Sequence, residues 1–101
     1  MVTLEQLRGQ YREQILALAA QEGVEEIRVF GSVARGQQRE DSDVDFLYRA
    51  GDHVTLWEIG GLQYGLEELL KTKVQLTDEW SVEHHAMADE RAHIFAEAVQ
   101  L

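Results

Sequence analysis

Phe30-Gly31-Ser32-Val33-Ala34-Arg35-Gly36, followed after six residues by Asp43-Val44-Asp45, is the stretch on which the reading of this chain turns. Val24 to Phe30 is rich in β-branched residues and ends abruptly at Gly31, as a buried strand does. Gly31 to Gly36 then has to be a tight turn or one short helical turn, Gln37 to Ser42 a polar loop, and Val44 to Tyr48 a second strand. Asp43 and Asp45 stand two apart on an extended segment, so both carboxylates project from one face, where one or two divalent ions would offset their repulsion. Gly31 lets the backbone approach an anion closely, and the Ser32 hydroxyl, with the N–H groups that open the turn, suits phosphate oxygens. A metal site beside a phosphate cradle is the equipment of phosphoryl or nucleotidyl transfer. Each half alone carries little. The two glycines do not make a P-loop, because Gln37 and Gln38 stand where that motif needs Lys and Ser or Thr, and an isolated Asp-x-Asp is common at strand edges. One follows a strand and the other opens a strand, and that joint placement gives them weight.

Outside this stretch, Thr3-Leu4-Glu5-Gln6 has the form of a capping box, and Leu4, Leu7, Tyr11, Ile15 and Leu18 recur at a spacing that predicts one helix up to Gly23. Thr55-Leu56-Trp57-Glu58 is a second capping box, and Ile59, Leu62, Leu66, Leu69 and Leu70 carry that helix to about Lys71. Its three glycines, Gly60, Gly61 and Gly65, either weaken it or admit a close neighbour. Val74 to Thr77 reads as a short third strand, and from about Ser81 a last helix carries Ala88, Ala92, Phe95 and Val99 on one stripe. The order α-β-β-α-β-α predicts an α/β (α+β) fold, a single domain over residues 1–101 with a small mixed β-sheet and helices packed mainly on one face. Trp57, Trp80 and Phe95 read as core or interface anchors, and Tyr11 and Tyr64 as packing. His84, His85 and His93 lack the spacing of a zinc motif.

The chain has 101 residues, 9 Lys+Arg against 19 Asp+Glu, a formal charge of −10, and neither cysteine nor proline. Without cysteine there is no disulfide framework, thiolate nucleophile or iron–sulfur cluster, and a reducing cytoplasmic setting is expected. The apolar runs are too short for a membrane span or a signal peptide. The negative balance opposes direct nucleic-acid binding, which depends on cations neutralising phosphates. Residues 1–39 are balanced, so the whole −10 lies beyond residue 39, either as a solvated surface or as a docking surface for a basic partner.

Gly31-Ser32, the ten residues Val33 to Ser42, and Asp43-Val44-Asp45 resemble the hallmark of the minimal nucleotidyltransferases (MNT) of the DNA polymerase β-like superfamily. The fuller pattern Gly-Ser-x-Ala-Arg-Gly, then Ser-Asp-x-Asp, is also present in Gly31 to Gly36 and Ser42 to Asp45. The resemblance extends over essentially the whole chain and, at this length, is to the antitoxin half of HEPN/MNT toxin–antitoxin pairs. It implies a polymerase β-like nucleotidyltransferase fold and a hetero-oligomer with a HEPN ribonuclease toxin. The activity implied is protein adenylylation (AMPylation), in which AMP passes from Mg-ATP to a tyrosine hydroxyl of the toxin. It also implies that Gly31 and Ser32 hold the nucleotide phosphates and that Asp43 and Asp45 hold Mg²⁺, these four forming the catalytic set. Arg35 matches the motif arginine; it either contacts phosphate or pairs with a carboxylate that braces the turn, the second being favoured. Ser42 is expected to cap the strand entry.

One position departs from the pattern. The family's third carboxylate lies on a following strand in a Val-Asp-Leu setting, and here Lys73-Val74-Gln75-Leu76 puts Gln75 where Asp is expected. An amide oxygen ligates a metal weakly and cannot serve as a general base. Asp78, three positions on, faces the wrong side of a regular strand. A phenol, with a reference pKa of about 10, ionises far more readily than an aliphatic alcohol, so two carboxylates are expected to suffice for a tyrosine acceptor and not for a sugar. Gln75 equally suits a degenerate member that neutralises its toxin by binding alone. Transfer to an antibiotic is disfavoured, since 101 residues leave no room for a helical substrate domain.

Overall fold

In the computed structural model, which describes residues 1–101, the chain runs α1 (Leu4–Arg8), α2 (Arg12–Gln21), β1 (Val24–Phe30), α3 (Gly31–Arg35), β2 (Val44–Ala50), α4 (Leu56–Leu70), β3 (Val74–Asp78), α5 (Glu79–His85), α6 (Ala88–Glu97) and β4 (Val99–Gln100). The strands form one mixed sheet in the order β3-β2-β1-β4, with β1 antiparallel to β2 and β4 and β2 parallel to β3. Strand alternation sends Ile27 and Val29 of β1, and Val44, Phe46 and Tyr48 of β2, to one face. There they bury against Leu7, Ile15 and Ala19 of α1 and α2, Val33 of α3, and Leu62, Leu66 and Leu70 of α4. Each such side chain removed from water contributes roughly 1.5–3 kcal/mol.

The opposite face holds a smaller cluster of Leu47, Val82 and Ile94, flanked by Phe30 and Phe95. Arg28 crosses this face, 3.2 Å from Glu79 and 3.4 Å from Glu26, with its guanidinium 5.8 Å above the Phe95 ring. Helices therefore pack mainly on one face, as expected, while α5 and α6 close part of the other. Both capping boxes form, Thr3 with Gln6 and Thr55 with Glu58. The Thr55 hydroxyl bond holds the Glu58 carboxyl below its ordinary range.

Two predicted helices are broken. The first divides at Gly9-Gln10, where Gly9 N–H still reaches Glu5 O at 2.9 Å but Tyr11 N–H skips back to Gln6 O at 3.0 Å. The bend brings Arg8 Nε to 2.9 Å from Gln100 O and Arg12 Nε to 3.1 Å from Leu101 O. The last helix breaks at Ala86-Met87, both extended at ψ 151° and 154°, and Arg91 Nη1 spans the break to Glu83 O at 3.0 Å. That break lets Val82 and Ile94 converge on Leu47, so Ile94 is the buried residue of α6 and the predicted stripe survives only at Phe95. Val99 is not helical; it pairs with Val29 in β4. Tyr64 does not pack, being 68% exposed, and Trp57 and Trp80 are surface residues rather than core. Of the three glycines in α4, two admit a neighbour: a Cβ on Gly61 would meet the Glu22 carboxylate at 2.8 Å and one on Gly65 would meet Leu18 of α2 at 3.1 Å.

Leu66 is fully buried between α4 and the sheet. Leu66→Ala is expected to lower the unfolding free energy by about 2–5 kcal/mol, measured by urea denaturation.

Candidate active site

β1 ends at Phe30, which lies opposite Asp45 in the antiparallel register, and the chain then folds straight into α3. That turn needs a left-handed residue, and Gly31 supplies φ +79°. It also needs a residue without a side chain, because a Cβ on Gly31 would overlap the Asp45 carboxylate. After one helical turn Gly36, at φ +72°, closes α3, with Gln37 N–H bonded to Ser32 O at 2.8 Å. The loop back to β2 is tied by Ser42: its Oγ accepts from Arg39 N–H at 2.8 Å, and its N–H donates to Arg39 O at 3.0 Å. Ser42 thus shapes the approach to the strand, as expected.

Asp43 and Asp45 follow on the sheet face opposite the main core, both half-buried. Burial pushes the Asp45 carboxyl above its ordinary range, the nearby charges of Asp43 and Glu97 push it further, and Arg35 opposes them. Arg35 ion-pairs through Nη1 with Glu97 at the end of α6 and donates from Nε to Gln37 Oε1 at 3.0 Å. Of the two readings of Arg35, the geometry matches bracing: the guanidinium ties α3 to α6. The second Glu97 oxygen lies 3.7 Å from His93 Nε2.

On the other flank, Gln75 sits beside Asp45 in the parallel β2–β3 register. An open polar cleft of about 490 Å³ joins Asp43 to Gln63 and Glu67 of α4 and to Lys73 and Gln75. Gln63 Nε2 donates to Val74 O at 3.2 Å and Glu67 Oε2 accepts from Val74 N–H at 3.1 Å, so α4 clamps the start of β3. Asp78 is engaged elsewhere, accepting from Trp80 N–H at 3.1 Å and from the Ser81 hydroxyl at 3.2 Å at the start of α5. Sequence reasoning missed Glu97, Lys73 and the α4 clamp. Glu97 carried no signal, being 62 residues from Arg35, whereas the i, i+4 pair Gln63 and Glu67 on a helix otherwise apolar there was a readable polar edge.

No three His, Cys, Asp or Glu side chains gather as a metal cage. The residues present nonetheless fit Mg²⁺. That ion takes hard oxygen ligands, commonly one or two carboxylates with the rest from water and phosphate, and Asp43 and Asp45 are a mutually repelling pair with Gly31 bare in front of Asp45.

Gly31→Ala is expected to cost about 1–3 kcal/mol from the left-handed backbone alone, seen as a lowered unfolding midpoint. Asp45→Asn should do the reverse. Folded Asp45 keeps its proton to a higher pH than the unfolded chain does, so wild-type stability falls as pH rises through that interval. The Asn variant should therefore melt a few degrees higher at pH 7. The gain should vanish once pH drops below the ordinary aspartate range, by scanning calorimetry.

The family described as nucleotidyltransferase domain matches residues 11–95. A protein of Methanocaldococcus jannaschii that carries the provisional name protein adenylyltransferase is 33% identical over 93 residues, 92% of this chain and 96% of its own. Protein adenylyltransferase MntA of Thermococcus cleftensis is 40% identical over 76 residues, 75% of this chain and 77% of its own. A solved structure provisionally named a minimal nucleotidyltransferase superposes with a TM-score of 0.82 at 39% identity, over 99% of this chain and 97% of that one. The structure of a tri-AMPylated Shewanella oneidensis HEPN toxin in complex with MNT antitoxin shares the fold at a TM-score of 0.61 and 19% identity, over 90% of this chain and 68% of that one. With its turn, its carboxylate pair and these likenesses, the chain belongs to the nucleotidyltransferase domain family, as one of the minimal members.

Proposed function

We propose that this minimal nucleotidyltransferase moves AMP from Mg-ATP to the phenolic oxygen of a tyrosine on a HEPN-family ribonuclease toxin, as the antitoxin of a hetero-oligomeric pair. The observation that carries the reading is the bare Gly31 in front of Asp45, with Asp43 beside it: two like charges held together at a turn cleared of side chains. The names of the adenylyltransferase relatives, and the AMPylated toxin held by an MNT antitoxin in a protein of the same fold, support the choice of group and partner.

In this reading Asp43 and Asp45 hold Mg²⁺, which supplies positive charge to draw the triphosphate in and offset the charge that builds on it during transfer. Gly31 and Ser32 hold the nucleotide phosphates, and the Arg35–Glu97 pair fixes α3 against α6 so that this cradle does not shift. The acceptor oxygen forms a new bond to the α-phosphorus while the bond to the bridging oxygen of the β-phosphate breaks, and pyrophosphate leaves with that electron pair. The phenolic proton goes to solvent, because Gln75 beside Asp45 has no capacity to take it. Gln75 also favours a second reading, a degenerate antitoxin that neutralises its toxin by occlusion alone.

Incubating the purified chain with its HEPN partner and Mg-ATP, then weighing both proteins by mass spectrometry, should find AMP on the toxin. Unlabelled toxin would exclude the transfer. Asp43→Ala combined with Asp45→Ala should abolish labelling, and full neutralisation by that variant would favour occlusion.

A further inference from the structure

The outer face of α4 carries an apolar patch that the chain itself does not use. Leu56 and Trp57 are each 88% exposed and Tyr64 is 68% exposed. Trp57 and Tyr64 stand seven residues apart, two turns along one face, with Gly60 and Gly61 between them. The result is two apolar knobs with a glycine saddle, and an open hollow of about 480 Å³ lined by Glu22, Leu56, Trp57, Gly60 and Gly61. Large aromatic side chains left in water at the rim of a hollow are the usual anchors of protein interfaces. Gly60 adds an independent observation. A Cβ there would meet nothing within 4 Å, so no internal contact accounts for a glycine that weakens the helix.

Charge decides the occupant. Residues 50–70 contain Asp52, Glu58, Glu67 and Glu68 and no Lys or Arg, and Glu22 borders the hollow. A second copy would bring the same acidic face, on a chain of net charge −10, against itself. We infer that this face of α4 docks a partner protein presenting an apolar side chain rimmed by Lys and Arg, seated in the saddle between Trp57 and Tyr64. The partner rests on the proposed function: it is the HEPN toxin. The patch runs from the start of α4 towards the site: Trp57 is ten residues, or about 15 Å, from Glu67, which clamps β3 beside Asp43, whereas Tyr64 directly follows Gln63 of the cleft.

Binding of the purified HEPN protein, followed by calorimetry, tests this. Trp57→Ala is expected to weaken association at least tenfold with its melting temperature and Mg-ATP binding unchanged. Gly60→Ala should raise the melting temperature while weakening association, a pairing that a merely structural role would not produce. Trp80→Ala, at the other exposed tryptophan, should bind as wild type does, and added salt should slow wild-type association. Equal affinities of wild type and Trp57→Ala would overturn the inference. A Trp57-dependent dimer of the chain alone, by light scattering, would also overturn it and assign the face to a second copy. If wild type does not bind the HEPN protein at all, the proposed function falls and takes this inference with it. If wild type binds and only the Trp57 effect is missing, the proposed function stands.

Discussion

Where β1 gives way to α3, the backbone and the Asp45 carboxylate occupy the space a side chain would need, and Gly31 alone satisfies both that proximity and its left-handed turn. Much follows from this contact. It lets the chain reverse within one residue, so that α3 stands over the end of β2 rather than beyond it. It keeps one side of Asp45 bare while the sheet half-buries the other.

The electrostatics of this corner follow from the same crowding. Asp43, Asp45 and Glu97 lie close enough for their charges to raise the Asp45 pKa, and the only cation that offsets it there, Arg35, is also the strut between α3 and α6. The fold thus holds, beside its glycine turn, a carboxylate whose charged form is disfavoured, a feature that clusters at functional sites. Four other arginines are used structurally: Arg28 anchors α5 and α6 to the sheet, Arg49 reaches Glu25 and Glu26, and Arg8 and Arg12 hold the Gln100 and Leu101 carbonyls.

What was legible in the sequence was local. The glycine–serine turn and the Asp-x-Asp pair lie within fifteen residues, both capping boxes within four, and strand alternation within seven, so neighbours along the chain define them. The breaks in the first and last helices were less legible, for different reasons. Gly9 was a visible breaker outweighed by a long apolar periodicity. Ala86-Met87 offers no breaker at all; its extended conformation follows from the need of Val82 and Ile94 to reach Leu47 together. Arg35 was readable as a strut but not its partner, because nothing near Glu97 along the chain points to it. Tyr64 was misread as packing although it stands two residues from both Leu62 and Leu66, which turns it to the far side of the helix from the buried stripe.

The grip of Arg8 and Arg12 on Gln100 and Leu101 bears on how the sheet is kept from growing. β4 pairs with β1 through only two residues and forms one border of the sheet. A border strand normally presents carbonyl acceptors on which a strand from another molecule can begin to pair. Here the guanidinium groups of Arg8 and Arg12, on either side of the bend between α1 and α2, bond Gln100 O of that strand and Leu101 O just beyond it. One carbonyl of β4 is thereby engaged within the fold, and two charged groups stand beside this border. The kink in the N-terminal helix pair therefore places positive charge at the β4 border of the sheet, where it opposes pairing with another strand.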